Sequence, residues 1–465
     1  MAEPARPFPH GLLFHFIQRN WWQKAPSSGG SGLNIGFMIE DLASLSGAAW
    51  TNYMEGMFVG PEHFQEYLAK SALFDARYGF DQIKPDHALR MIRRLWKGPR
   101  LARLLNGNPE ARALIDLADG VVGSFKSTPA PATVQRESIL RGVPASSRSA
   151  ARRLLSHRLV ATRSTPVAPL DVESDLNIPP VMPFIELEGD ALWHLPPSLA
   201  SRQLLAIVHD ELSLLGQWRR EEGLALEKHL LDEFRRAGIK AISGAYRVDG
   251  QVAGDIDVGV CNDHVIVLFE VKRRSLTNRA RQGSAAHLLR DLTTPLVDAQ
   301  VQLLKHELHL RDLGSLTLEN EGKERSELRL DGRRVQRFTV SMFDWGSLQV
   351  RETVRSLMRV ALNLRFHTDH PLLKMRMDEL SAGLEELAGC VKSLESHGDN
   401  RSDAKLMNVG FVSVPYLYSL LDVSSSADEF IHQLDLGKNM SASTRNPYDE
   451  LAYLRYLESE AHNRQ

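Results

Sequence analysis

A chain of 465 residues is too long for one ordinary hydrophobic core and sets an expectation of two or three domains. Hydrophobic residues at 43% and charged residues at 25% describe a globular chain, while a formal net charge of -2 excludes a protein that is basic throughout, so any nucleic-acid surface has to be local. Two cysteines, Cys261 and Cys390, exclude a disulfide scaffold and a zinc finger and suit a reducing compartment.

The stretch 1–23 has no basic region followed by a long apolar core, and no apolar run reaches the ~18 residues of a membrane helix. A cytoplasmic protein with no membrane contact is the expectation. Residues 24–36 (KAPSSGGSGLNIG) read as a flexible loop. Residues 37–125 read as mostly helical, with apolar residues at helical spacing through Phe64, Leu68 and Ala72 and through Ile92, Leu95, Leu101 and Leu104. Trp21, Trp22 and Trp50 read as core residues. Residues 133–163 read as helix, turn, helix, with Ser146 or Ser147 capping the second helix. Arg148, Arg152, Arg153 and Arg158 lie on that helix beside Leu154 and Leu155, and residues 159–162 would begin a wing. The segment resembles a winged-helix reader, whose second helix enters the major groove; the alternative is an ordinary basic packing helix. The first domain is therefore a mainly helical module, 1–163.

Residues 164–198 hold seven prolines and little periodicity, so 164–200 is expected to be a linker or an arm. From Ser201 the order helix, strand, strand, helix, strand, helix argues for an α/β or α+β domain over 201–345. Amphipathic helices at 351–365 and 373–396, a strand at 410–415 (GFVSVP) and a helical tail complete a C-terminal extension, 346–465. The stretch 367–370 (HTDH) holds metal-ligand types but no helix to place them on one face, and reads as a surface loop.

The residues that carry chemistry fall in three pieces. A helix ending at Gly238 sets Glu227 on one face with Leu230, Leu231 and Phe234, while Glu221, Glu222, Asp232 and Glu233 fall on the other side. An inward carboxylate needs a partner, whether a salt bridge at the helix edge or a functional group. Next, residues 254–274 (GDIDVGVCNDHVIVLFEVKRR) read as a β-hairpin: Ile256, Val258 and Val260 alternate with polar positions, 261–264 makes the turn, and the apolar run from Val265 is broken only by Glu270. A symmetric turn sets Asp257 opposite Leu268 and Asp255 opposite Glu270, so these carboxylates and Lys272 share one face of the sheet. Two carboxylates can hold Mg²⁺ through hard oxygens, the metal polarises a phosphate and lowers the pKa of its water, and a lysine beside them stabilises developing negative charge.

Asp257 followed by Glu270-Val271-Lys272 resembles the pattern of PD-(D/E)XK nucleases, the restriction-endonuclease-like superfamily, over residues 220–345. The form G-D-I-D-V, then an apolar strand ending E-V-K-R-R, is similar to the small endonuclease-like and Mrr-like branches, and Gly223 and Glu227 match the helix glutamate of those branches. Ile256 stands where the pattern has its proline. The resemblance implies a restriction-endonuclease-like mixed sheet flanked by helices. It implies Asp257 and Glu270 as ligands of Mg²⁺ or Mn²⁺ with the Val271 carbonyl as a third, Lys272 as the catalytic lysine, and Glu227 as a helper at the metal or at Lys272. It also implies a glutamine on the helix after the third strand, either Gln300 or Gln302. Asp255 is a second acidic candidate.

Arg273, Arg274, Arg279 and Arg281 follow the lysine directly, either as a phosphate-backbone cluster or as a solvated loop. The leading expectation is a metal-dependent DNA endonuclease, with RNA left open as substrate, a helical module that selects substrate or partner, and, by analogy alone, a place in prokaryotic defence or DNA processing. A homo-oligomer or a partner protein would fit such a role. The alternatives are a nucleic-acid-binding protein and an assembly subunit, each with an inactive nuclease-like fold.

Overall fold

The computed structural model of the chain describes Leu68, Ala72 and Asp75 and then residues 82–125, 132–161, 182–187, 190–281, 283–320, 322, 324–368, 371–397, 408–436 and 446–463. The readings made for Trp21, Trp22, Trp50, residues 24–36, most of 37–81, residues 164–181, and residues 369 and 370 lie outside the described residues. Internal packing divides the chain into two units: Met1–His63 with Leu73–Ala225, and Phe64–Ala72 with Leu226–Gln465. Together they give a mixed α/β architecture, in which a largely helical N-terminal region precedes a multi-stranded mixed sheet flanked by helices.

The first unit opens with α1 (Pro85–Arg90), continued by a wider-wound turn at Met91–Trp96, then α2 (Pro99–Asn106) and α3 (Pro109–Ser124). Each of the three begins on a proline, whose fixed φ suits the first helical position and whose missing N–H is no loss there. Asn108 caps α3 by accepting from the Ala111 N–H at 3.1 Å. After β1 (Thr133–Gln135) come α4 (Arg136–Arg141), α5 (Arg148–Leu154) with its wider-wound continuation Leu155–Leu159, and β2 (Val160–Ala161). Ser147 does not cap α5 with its side chain. Its hydroxyl instead donates to Asp116 on α3 at 2.9 Å, buried.

The segment 164–200, read as a linker or arm, carries structure of this unit. Strands β3 (Phe184–Glu186) and β4 (Ala191–His194) join β1 and β2 in a sheet of order β1-β4-β3-β2. Strands of two to four residues are too short to show a period of two, and prolines surround them. Helix α6 (Pro197–Leu212) then buries Leu199, Leu204, Leu205 and Val208.

Helix α7 (Trp218–Arg236) contains the boundary between the units, which follows Ala225. On its first-unit side Glu222 is fully buried, accepting from Trp96 Nε1 at 3.0 Å, with His209 Nε2 at 3.3 Å. Burial alone would pull His209 down, but hydrogen bonds to Asp210 and Glu222 and their charges hold it up at about 9. The outward placement of Glu222 and Glu233 is therefore corrected: both are buried, because α7 is packed on more than its apolar stripe.

The second unit is built on a seven-stranded sheet of order β11-β10-β7-β6-β5-β8-β9. Its strands are β5 (Ala241–Val248), β6 (Gln251–Cys261), β7 (Val265–Lys272), β8 (Ser315–Glu319), β9 (Arg325–Arg329), β10 (Arg334–Ser341) and β11 (Val409–Ser413). Strands β7, β10 and β11 are parallel and the remaining pairs antiparallel. Between β7 and β8 lie α8 (Asn278–Arg281), α9 (Ala285–Leu292), a wider-wound stretch Thr293–Asp298, and α10 (Ala299–Leu313). Later come α11 (Arg351–Ala361), α12 (Pro371–Glu395), α13 (Val414–Leu421), α14 (Ala427–Asp435) and α15 (Pro447–Asn463).

Alternation along β7 sorts the packing. Phe269 meets Phe234 of α7, Phe338 of β10 and Phe430 of α14, with ring centroids 5.8–6.2 Å apart. Ile266 and Leu268 join Leu303 and Leu310 of α10 in another cluster. Glu270 and Lys272 continue the Ile266 and Leu268 alternation, which brings them toward α10. A buried ion pair between Arg337 of β10 and Glu307 ties α10 to the sheet, and Arg311 adds a second contact to Glu307 at 2.7 Å. Among the described residues no helix is long and apolar enough to cross a membrane.

Candidate active site

The site is set by the turn between β6 and β7. Asn262 Oδ1 accepts from the N–H groups of His264 and Val265 at 2.9 and 2.7 Å, and the Asn262 N–H donates to the Val265 carbonyl at 3.0 Å. This side-chain lock is an asparagine's usual way of stabilising a tight turn. It centres the hairpin one residue later than the symmetric turn expected from sequence. The pairs run from Cys261↔Ile266 to Val258↔Phe269, so Leu268 faces Gly259 and not Asp257. The pairing shifts by two, which corrects the opposing residues but preserves the face: extended one step past the last pair, Asp257 stands across from Glu270.

That step is not made by backbone bonding. Strand β6 carries two residues, Asp257 and Val258, between its pairings Ile242↔Gly259 and Gly244↔Ile256, where β5 has only Ser243. Such a bulge re-aims side chains and interrupts the ladder. Asp257 Oδ2 instead accepts the Val271 N–H at 2.7 Å, so the carboxylate stands in for a strand carbonyl and is held against β7.

Glu270 is 5% exposed, and its Oε1 lies 2.6 Å from Lys272 Nζ. The same ammonium donates to Gln302 Oε1 at 3.0 Å. Gln302 is thus the glutamine that meets the lysine. Gln300 is fully buried, points its amide at Thr339 Oγ1 at 3.3 Å and belongs to the packing of α10 on β10.

The electrostatics follow from this crowding. Asp257 keeps some surface exposure yet is densely surrounded by protein. Burial, then the neighbouring Glu270 charge, raise it to about 7 against the pull of the Val271 N–H and Lys272, and Asp255 adds further repulsion. Burial raises Glu270 as well. Lys272 opposes the rise through its charge and hydrogen bond, while Glu227 and Asp255 reinforce it. The Glu227 charge therefore acts on Glu270, in accord with its inward helical phase. Asp255 is exposed at the rim and acts on both carboxylates through its charge.

Sequence reasoning missed several neighbours. Asp298, last residue of the wider-wound stretch before α10, is raised by burial and drawn back by a hydrogen bond to Thr294 and by the charges of Lys272 and Arg274. Tyr246 on β5 holds His306 Nδ1 at 2.8 Å and His309 Nδ1 at 2.9 Å. Burial, then the charges of His309 and of nearby lysines, lower His306 to about 4 against a bond to the Asp255 backbone. A spacing of four from Gln302 to His306 signals one helix face, but only the fold identifies it as the face toward the acidic strand.

Of the basic run after the lysine, Arg274 and Arg279 are exposed and Arg273 and Arg281 half-buried. Arg281 Nε reaches the Leu276 carbonyl at 3.4 Å, and Asp291 fixes the same loop by accepting from the Thr277 N–H and hydroxyl at 2.8 and 2.7 Å. Arg148, Arg152 and Arg153 belong to the first unit, exposed along α5.

Among the described residues no group of three or more His, Cys, Asp or Glu side chains is arranged to hold a metal ion. Any cation here would rest on two carboxylates, Asp257 and Glu270, with a backbone carbonyl and water as further donors. That set fits Mg²⁺ or Mn²⁺, hard ions bound through one or two carboxylates that keep several waters. The crowded negative charge, with Glu270 raising Asp257 and with Glu227 and Asp255 raising Glu270, is what a divalent cation would relieve. Comparison with known proteins finds no matching family model, no matching curated protein and no matching solved structure.

Proposed function

We propose that the second unit is a divalent-metal-dependent phosphodiesterase acting on DNA, with a restriction-endonuclease-like core of the PD-(D/E)XK type. The observation that carries this reading is the convergence of Asp257, Glu270, Lys272 and Gln302 at the bulged end of one hairpin, with both carboxylates raised by burial and by neighbouring carboxylate charge. Mg²⁺ or Mn²⁺ would be held by Asp257, Glu270 and the Val271 carbonyl. When bound, the ion supplies a polarised phosphate and a water of lowered pKa.

The remaining work falls to the chain. Lys272 is handed between Glu270 and Gln302, which keeps its ammonium at the site, ready to orient water and to stabilise charge developing on the phosphate. Glu227 adds negative charge beside Glu270 and raises the site's demand for a cation. Arg274 and Arg279, exposed on the segment following the lysine, suit the phosphate backbone of the substrate.

A nuclease-like fold retired to binding or assembly is the second reading. It is favoured by the absence, among the described residues, of a three-side-chain ligand set. The two separate on incubating the protein with supercoiled plasmid, linear duplex and single strands in Mg²⁺, Mn²⁺ or EDTA. Metal-dependent cleavage supports hydrolysis. Binding without cleavage under every condition supports the retired fold.

A further inference from the structure

The helix-turn-helix of the first unit is not used by the chemistry above. Residues 133–161 contain six arginines, one acidic residue (Glu137) and no lysine or aspartate, a charge of +5 within a chain whose total is -2. The segment is therefore strongly basic against an acidic total, as is 90–106, where Arg93, Lys97 and Arg100 are held by Asp119, Asp116 and Glu221. Arg136 serves the fold: its side chain is 12% exposed and bonded to Glu186, Asp190 and Ser156. The other five arginines, 141, 148, 152, 153 and 158, are all exposed.

Their placement follows from α5. Ala151, Leu155 and Leu159 are buried at a spacing of four, which fixes one face inward. Arg148, Ser149, Arg152 and Arg153 then stand outward over the first turns, and Arg141 ends α4 across the tight turn at Gly142 and Pro144. The strands beside the helices follow in the order β1-β4-β3, with β1 and β3 both antiparallel to β4, so a small hairpin flanks the two helices.

Three of these arginines meet carboxylates: Arg152 with Glu137, Arg153 with Glu110 at 3.7 Å and Arg158 with Glu211 at 3.2 Å. The arginine side chains in these pairs remain 54–61% exposed, so the pairs are weak and screened, and a phosphate can replace the carboxylate at little loss.

We infer that the outer face of α5, with Arg148 and Arg152 at its centre, is a docking surface for duplex DNA in the major groove. A helix with side chains is about 10–12 Å across, which matches the ~12 Å width of that groove in B-DNA. The narrow, deep major groove of duplex RNA does not admit it. The N-terminal residues of the second helix are those that reach base edges, which is where Arg148, Ser149 and Arg152 lie. This binding does not depend on the chemistry of Asp257.

The test uses the full chain carrying Asp257→Ala, in EDTA, so that cleavage plays no part. Binding to a labelled duplex of roughly 20 base pairs, two helical turns, is followed by fluorescence anisotropy at several salt concentrations, beside single-stranded DNA and an RNA duplex of the same length. Adding Arg148→Gln and Arg152→Gln is expected to weaken duplex DNA binding about tenfold or more and to flatten the salt slope by about two. The paired lysine substitutions should keep most of the slope. Glu137→Gln releases Arg152 and is expected to tighten binding, a gain that an unfolded variant cannot mimic. An unchanged slope and affinity in the double glutamine variant, an unaltered Glu137→Gln affinity, or equal binding of duplex RNA would each overturn the assignment.

Discussion

Asp257→Asn isolates the tension stored at the candidate site. In the folded chain Asp257 keeps its proton up to about 7, against an ordinary aspartate value of 3.8. Between those two values the folded state binds more protons than the unfolded one, so stability falls as pH rises through that window, and the loss is complete above about 7. That interval corresponds to a ceiling of about 4 kcal/mol, and residual solvent access brings the usable figure nearer 2 kcal/mol. Asparagine removes the charge while its carbonyl can still accept the Val271 N–H, so the turn and bulge should survive. Without metal the variant should match the wild type near pH 4 and exceed it at pH 8, by roughly 4–8 °C in Tm for a unit of this size. Added Mg²⁺ should reverse the order, because a cation stabilises only the chain that binds it. The assay is thermal unfolding followed by circular dichroism at both pH values, in EDTA and in Mg²⁺. A variant no more stable than wild type at pH 8 in EDTA, or a difference that does not change with pH, would refute the reasoning.

Other outcomes follow from the same geometry. Glu227→Gln should lower turnover by more than it lowers stability and raise the metal concentration needed for half-maximal rate, read from a Mn²⁺ titration of the rate; normal metal dependence would remove Glu227 from the site. Gln302→Ala should reduce kcat with little change in Tm. Gln300→Ala should do the opposite, lowering stability by about 1–3 kcal/mol through a buried polar loss, and a reversal of these two patterns would show that the wrong glutamine has been placed at Lys272. Gly254→Ala should destabilise the second unit by about 1–3 kcal/mol, since its added carbon would stand 2.7 Å from both His306 Cε1 and the Tyr246 hydroxyl; a neutral melt would mean that this cluster yields more readily than its packing suggests.

How far the sequence carried depended on what each feature rests on. The alternation of 254–274 revealed a hairpin with Asp257, Glu270 and Lys272 toward one side, because period two is local. The register was not legible, since a single side chain, Asn262, moves the turn by one residue and the pairing by two. Nor was the bulge at Asp257, which exists only against β5, and β5 (AISGAYRV) has a glycine and too few apolar positions to announce a strand. The charged hairpin β8–β9 escaped for a similar reason: its alternation of buried and exposed residues is masked by polar side chains at the sheet's edge. Gln302 could not be told from Gln300 because the wider-wound stretch Thr293–Asp298 resets the phase of α10. The inward phase of Glu227 was readable from its apolar neighbours, whereas the burial of Glu222 depends on Trp96 and His209, distant in sequence.

The most direct measurement is cleavage of supercoiled plasmid by the wild type and by Asp257→Ala, Glu270→Ala and Lys272→Ala, each first shown to be folded. The wild type should nick or linearise the plasmid in Mg²⁺ or Mn²⁺, stay inactive in EDTA, and turn over slowly in Ca²⁺, whose loose coordination positions water poorly. All three variants should lose cleavage. Full cleavage in EDTA, or cleavage retained by the three variants, would contradict a metal-dependent site built on Asp257, Glu270 and Lys272.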